Sequence, residues 1–138
     1  MSSRHRSREL AVQLTYQYTV SPQTLMDQRA MDRFWTEQAQ TSPSARPFFE
    51  QLVRGVADNL PTLDRAIEVR LDNWRMDRLD RMDLAILRVA AFELLIQRTP
   101  KPVVINEALE LAKKYCNQDS PSFINGILDN LDRNETKA

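Results

Sequence analysis

The sequence predicts an all-α fold, on three observations. Apolar residues recur three and four apart along most of the chain's 138 residues, the spacing of helices that each bury one face. Only two glycines occur, Gly55 and Gly126, and both fall inside helical patterns, whereas a β-rich fold of this size needs glycine at its turns. The seven prolines, at 22, 43, 47, 61, 100, 102 and 121, stand between those patterns or just inside their starts, where a missing N–H and a fixed φ are tolerated. Cutting the chain at its prolines leaves about seven helical segments and no convincing strand.

The first helix is expected from about Ser3 to Thr19, with Leu10, Ala11, Leu14 and Tyr18 as its buried stripe. Arg4, Arg8, Val12 and Tyr16, four apart, make a second face, with His5 and Arg6 beside it in the opening turn. Cations at a helix N-terminus oppose the macrodipole at a cost of about 0.3–1 kcal/mol each, so stability alone does not explain them. A frayed, solvated terminus is the plain alternative. Ser21 and Pro22 are expected to cap a second helix reaching about Gln38, with Leu25, Met26, Ala30 and Phe34 on its apolar side and Trp35 alongside.

After a loop rich in Ser, Thr and Pro from Gln40 to Pro47, a third helix turns Phe48, Phe49, Leu52, Val53 and Val56 inward. Gly55 within it costs about 1 kcal/mol against alanine, which a close approach from another helix would explain. A fourth helix beyond Pro61 carries Leu63, Ile67 and Leu71, and a charged connection containing Trp74 and Met76 follows. The segment from about Asp80 to Arg98 is apolar over most of its circumference and is expected at the centre of the core, with Asp80 and Asp83 in its first turn.

Thr99 to Pro102 then turn the chain into a helical hairpin over about 103–133. Its first helix repeats Ile105, Ala108, Leu109 and Ala112; its second presents Phe123, Ile124, Ile127, Leu128 and Leu131. Ser120 is expected to cap the second helix, ahead of Pro121. The tail NETKA is expected to be disordered.

Composition bounds the function. At 42% hydrophobic and 28% charged residues, the chain reads as one soluble globular domain over 1–138. Its 19 basic and 19 acidic residues cancel, so only a local patch can attract nucleic acid or an anionic membrane. A single cysteine, Cys116, leaves no disulfide framework or multi-cysteine zinc site, and a single histidine, His5, leaves no imidazole cluster. The start, MSSRHRSREL, is not a secretory signal, and no apolar run reaches the length of a membrane span. The expectation is a cytoplasmic protein without metal or cofactor.

No phosphate loop, dinucleotide fingerprint, nucleophile elbow or zinc-protease motif is found. Glu107 and Glu110 are expected to lie on a solvated face, bonded to Lys113 or Lys114. Cys116 has no histidine placed to activate it. No catalytic site is expected. Arg4, Arg6, Arg8 and Tyr16 are the functional candidates, because arginine forks pair with phosphate and an aromatic face stacks on an unpaired base. Tyr115 and Phe123 flank the polar turn 117–120; they would extend this surface if the first helix packs beside that turn, and Phe123 otherwise reads as core.

The segments MDLAILRVAAFELL, PVVINEALELAKKY and DSPSFINGILDNL, with RSRELAVQLTYQY ahead of them in compatible order, resemble the NusB transcription antitermination family. The resemblance covers nearly the whole chain and is weakest over 22–50. It implies about seven helices in two packed helical subdomains. It also implies a non-enzymatic protein that pairs with NusE, a small-subunit ribosomal protein. The pair binds boxA RNA in nascent transcripts, notably of ribosomal RNA operons, within an RNA polymerase antitermination complex that reads through terminators.

By motif position the implied RNA surface is Arg4, Arg6, Arg8, Tyr16, Tyr115, Asp119 and Phe123, and Asp83 matches a position facing the protein partner, with helix capping as its other reading. The charge of Asp119 opposes phosphate, so capping the turn or tempering affinity are its alternatives. Three departures stand out. Serine and histidine interrupt the family's opening arginine run, Cys116 stands where glycine is common, and Ser122 stands where a basic residue often lies.

The thinned arginines keep a second class open, a protein-only adaptor or homodimer with little RNA binding. A third class follows from NusB-like domains that precede RNA methyltransferase domains; this chain would then need a separate catalytic chain.

Overall fold

A computed structural model of the chain describes residues 3–19, 27–38, 43–71 and 75–131. Among them are seven α-helices and no strand: α1 (Ser3–Tyr18), α2 (Gln28–Gln38), α3 (Arg46–Asp58), α4 (Leu60–Glu68), α5 (Arg81–Leu95), α6 (Lys101–Tyr115) and α7 (Ser120–Asn130). The proposed cap at Ser21 and Pro22, with Leu25 and Met26, lies outside the described residues, as do Trp74 and the tail from 132.

The helices form the two packed groups expected. In the first, α1 lies against α3; in the second, α4, α6 and α7 gather round α5, which also touches α1 and α3. The central position of α5 follows from its sequence, since Ile86, Leu87, Val89, Ala90, Ala91, Phe92, Leu94 and Leu95 are all buried. One contiguous cluster of buried apolar side chains draws on all seven helices. Gly55 answers a packing need, because a Cβ there would stand 2.0 Å from Cζ of Phe92. The ring of α5 occupies the space that a side chain on α3 would fill.

Several local details depart from the periodicity. The helix expected to reach Arg98 ends at Leu95, because Arg98 takes a left-handed φ of 59° and the Thr99 N–H reaches back to the Glu93 carbonyl at 2.9 Å. Pro102 falls within the first turn of α6, not in the turn before it. The core stripe of α6 is Val104, Ala108, Leu111 and Ala112, while Ile105 and Leu109 lie on its half-buried flank. Ser120 does not cap α7 either. Asp119 holds that position without a side-chain cap bond, and the Ser120 hydroxyl points inward to donate to Asp83 Oδ2 at 3.1 Å.

Candidate nucleic-acid interface

Side chains of α1 reach those of α6, and α1 itself packs on α3 and α5, so both faces of α1 have neighbours. Leu10, Ala11, Leu14 and Tyr18 are buried as predicted, but so are Arg8 and Val12 of the second face. Arg8 is only 6% exposed. Its Nε and Nη2 donate to the two oxygens of Glu93 on α5 at 2.8 and 2.9 Å, and Nη1 lies 3.4 Å from Glu107 of α6. Burial lowers the Arg8 pKa, and the hydrogen bond and charge of Glu93 outweigh that and raise it. A guanidinium so enclosed has no donor face to offer phosphate, and Arg8, expected on the RNA surface, is instead a buried link between helices.

Arg4 stays exposed with its guanidinium 4.2 Å from the ring centre of Phe48 on α3. Glu107, expected to bond to Lys113 or Lys114, accepts from His5 Nδ1 at 2.6 Å across the helix pair. The lysine beside it in that expectation goes elsewhere.

Glu9 organises the rest of the seam, and sequence reasoning missed it. Its carboxylate is buried yet accepts from Arg6 Nη1 at 2.5 Å, Lys114 Nζ at 2.5 Å and the Tyr115 hydroxyl at 2.6 Å. Burial pushes the Glu9 carboxyl up, but the hydrogen bonds from Lys114, Tyr115 and Arg6 outweigh it and hold it down at about 2. Tyr115 also accepts from Gln13 Nε2 at 2.9 Å. Its own hydroxyl is pushed above the ordinary tyrosine value by burial and then by the bond to Glu9. The available signal was the i, i+3 spacing of Arg6 and Glu9. No local pattern tells which distant helix shares that acid.

The structure therefore brings Arg6 and Tyr115 together, and adds Lys114. Tyr16 is exposed two turns further along α1 from Glu9, three residues after Gln13. Asp119 and Phe123 belong to a second feature, a concavity of about 300 Å³ whose lining includes Arg78, Asp80, Asp83, Asn117, Asp119 and Phe123. Phe123 is half-buried against the core, and Asp119 is exposed. Asn117 shapes the turn by accepting from the Asp119 N–H at 3.0 Å.

Asp83, expected to face a protein partner or to cap α5, is not the cap. Its side chain is turned inward at 7% exposure, and Asp80 is the cap, accepting from the N–H groups of Met82 and Asp83 at 2.9 and 3.2 Å. Cys116 ends α6 close by; burial, then the bond and charge of Asp83, push its thiol up to about 12.

The fold and the seam are those of a small helical protein with basic, acidic and aromatic groups gathered where side chains of the first helix meet the last hairpin. Comparison with known proteins makes this particular: the chain belongs to the NusB family, whose model matches residues 5–133. It is 44% identical over 133 residues to the transcription antitermination protein NusB of Trichlorobacter lovleyi, covering 96% of this chain and 92% of that one. It is 41% identical to the NusB of Geobacter sulfurreducens, covering 95% and 94%.

Among solved structures, NusB of T. maritima superposes with a TM-score of 0.80 at 27% identity, covering 98% of this chain and 97% of that one. A structure of the antitermination factors NusB and NusE in complex with dsRNA matches with a TM-score of 0.83 at 23% identity, covering 95% and 96%. That last likeness is one of fold. Among the described residues, no helix is long and apolar enough to cross a membrane.

Proposed function

We propose that this chain is an antitermination factor that binds boxA-type single-stranded RNA together with NusE, in nascent ribosomal RNA transcripts, and helps cytoplasmic RNA polymerase read through terminators. Membership of the family supports the role, and the seam supports the surface. The observation that carries the reading is the meeting of Arg6, Lys114 and Tyr115 at one carboxylate, with Tyr16 exposed on the same helix as Arg6.

Each group has a distinct part. Arg6 and Lys114 attract phosphate, Tyr16 offers a ring on which a base stacks, and Asp119 and Phe123 extend the surface across the turn. Arg4 contributes from the start of α1. Glu9 fixes the two cations in place but cancels one of their charges. RNA affinity without the protein partner is therefore modest, and the partner supplies the remainder.

The test is a titration of labelled boxA RNA with and without NusE, at several salt concentrations. Arg6→Ala weakens binding and flattens the salt dependence by about 0.7 in log–log slope for each lost phosphate contact. Tyr16→Ala weakens binding by about 1–3 kcal/mol and leaves the slope unchanged. Unchanged affinity and slope in both variants would overturn the surface assignment. Equal elution of the chain with and without RNA and NusE would favour the protein-only reading.

A further inference from the structure

Three elements meet beside the concavity that Asp80 and Asp83 line, and together they present an unusual donor set. Asp80 caps α5, with Oδ1 engaged by two backbone N–H groups. Asp83 lies one turn further and is 7% exposed; its Oδ2 accepts from Ser120, while its Oδ1 is fully buried with no hydrogen-bond partner among the described residues. Cys116 brings its thiol from the end of α6. One ligand atom from each of Asp80, Asp83 and Cys116 lies within 4.8 Å of the other two.

Left to themselves these groups are in conflict. Two carboxylates so close repel, and among the described residues the buried Asp83 carboxylate has the Ser120 hydroxyl and the weakly donating Cys116 thiol to replace its hydration. A cation at their centre would answer both problems, and the orphaned Oδ1 of Asp83 is the atom that points to one.

We propose that Asp80, Asp83 and Cys116 form a binding site for a borderline-soft divalent cation, zinc foremost, with a fourth position open to the concavity. The donor set selects the class. Magnesium and calcium take oxygen ligands, and copper(I) prefers soft sulfur, whereas zinc accepts carboxylate and thiolate together. Zinc lies about 2.0–2.2 Å from oxygen and about 2.3 Å from sulfur, so small side-chain rotations bring the three atoms to one ion.

On binding, a Zn–S bond forms, the thiol proton leaves to solvent, and no electron is transferred. Arg78 and Asp119 line the same concavity with opposite charges. The loaded site would tie the start of α5 to the end of α6, directly before the turn that carries Asp119 and leads into α7 with Phe123. The proposal does not rest on the RNA reading, because its test is metal binding by the chain alone.

The experiment uses the full chain, stripped with a chelator and titrated with zinc chloride by calorimetry, and separately with cobalt(II) chloride by absorption spectroscopy. The expected result is one saturable site, proton release, and a sulfur-to-cobalt charge-transfer band in the near ultraviolet. Cys116→Ser and Asp83→Asn each weaken zinc binding at least tenfold, and Cys116→Ser removes the band. Circular dichroism melts of the apo variants establish that they fold.

His5→Ala leaves binding unchanged, which separates this site from the other group of potential ligands, His5, Glu107 and Glu110. No saturable zinc binding, a cobalt spectrum without the thiolate band, or wild-type affinity in folded Cys116→Ser would each overturn the proposal.

Discussion

Arg8 of α1 and Glu93 of α5 form a two-pronged ion pair inside the protein, with N–O distances of 2.8 and 2.9 Å and both side chains less than a tenth exposed. The pair joins the two helical groups through the central helix. A fork-shaped guanidinium suits this role better than lysine, because both donors meet both carboxylate oxygens in one plane.

Breaking the pair from one side leaves a buried, unanswered charge. Arg8→Met is expected to destabilise the fold by about 3–5 kcal/mol, while replacing both partners, Arg8→Met with Glu93→Leu, recovers most of that loss. Urea unfolding of the wild type, both single variants and the double variant measures the coupling. Additive losses in the double variant would show that the ion pair is not the cause.

Glu9 predicts a dependence on acid. Its folded pKa of about 2 lies below the ordinary 4.5, so its contribution to stability is complete above pH 4.5 and is lost as pH falls from there toward about 2. The sign follows because the unfolded chain binds the proton more readily. From the size of the shift, the contribution lost is on the order of 3 kcal/mol. Stability measured from pH 6 to pH 2 should fall more steeply in the wild type than in Glu9→Gln, and parallel curves would contradict the assignment.

Gly55 faces the Phe92 ring with no room for a methyl group. Gly55→Ala should therefore destabilise by about 1–3 kcal/mol in spite of the better helix propensity of alanine. Gly126 is the internal control. A Cβ there meets nothing within 4 Å, so Gly126→Ala is expected to stabilise α7 by about 0.5–1 kcal/mol. Thermal unfolding of the two variants should move in opposite directions.

Arg98 takes a left-handed backbone at the end of α5 without being glycine. Removing its Cβ relieves that strain, and Arg98→Gly is expected to stabilise the protein by about 1 kcal/mol. A calorimetric scan of this variant beside Arg98→Ala, which keeps the Cβ, isolates the backbone effect.

Much of the architecture was legible because helices are local. The prolines, the stripes of α1, α3, α4 and α7 and the all-round apolarity of α5 lie within single segments, where a period of three to four reports the buried face directly. The same reasoning identified the turn after Tyr115 as polar, and it grouped Tyr16, which is exposed, on one face with Arg8 and Val12, which are buried. It misjudged the end of α5 because a left-handed arginine carries no sequence signal. It misjudged the α6 stripe because Val104, Ile105, Leu109 and Leu111 are all apolar, and the choice between faces depends on which one meets α5 and α7.

The candidate site was less legible, for a physical reason. Charge partners separated by about a hundred residues leave no spacing to read: Glu9 with Lys114 and Tyr115, His5 with Glu107, Arg8 with Glu93. By itself the sequence determined an all-α chain of the NusB kind, with its helices, most of its core and a basic, aromatic start. The tertiary structure alone decided that Arg8 is buried, that Glu9 gathers Arg6, Lys114 and Tyr115, and that Asp80, Asp83 and Cys116 form one cluster. Helical periodicity is set by neighbours three and four residues away, whereas the fate of a charge is set by whichever helix packs against it.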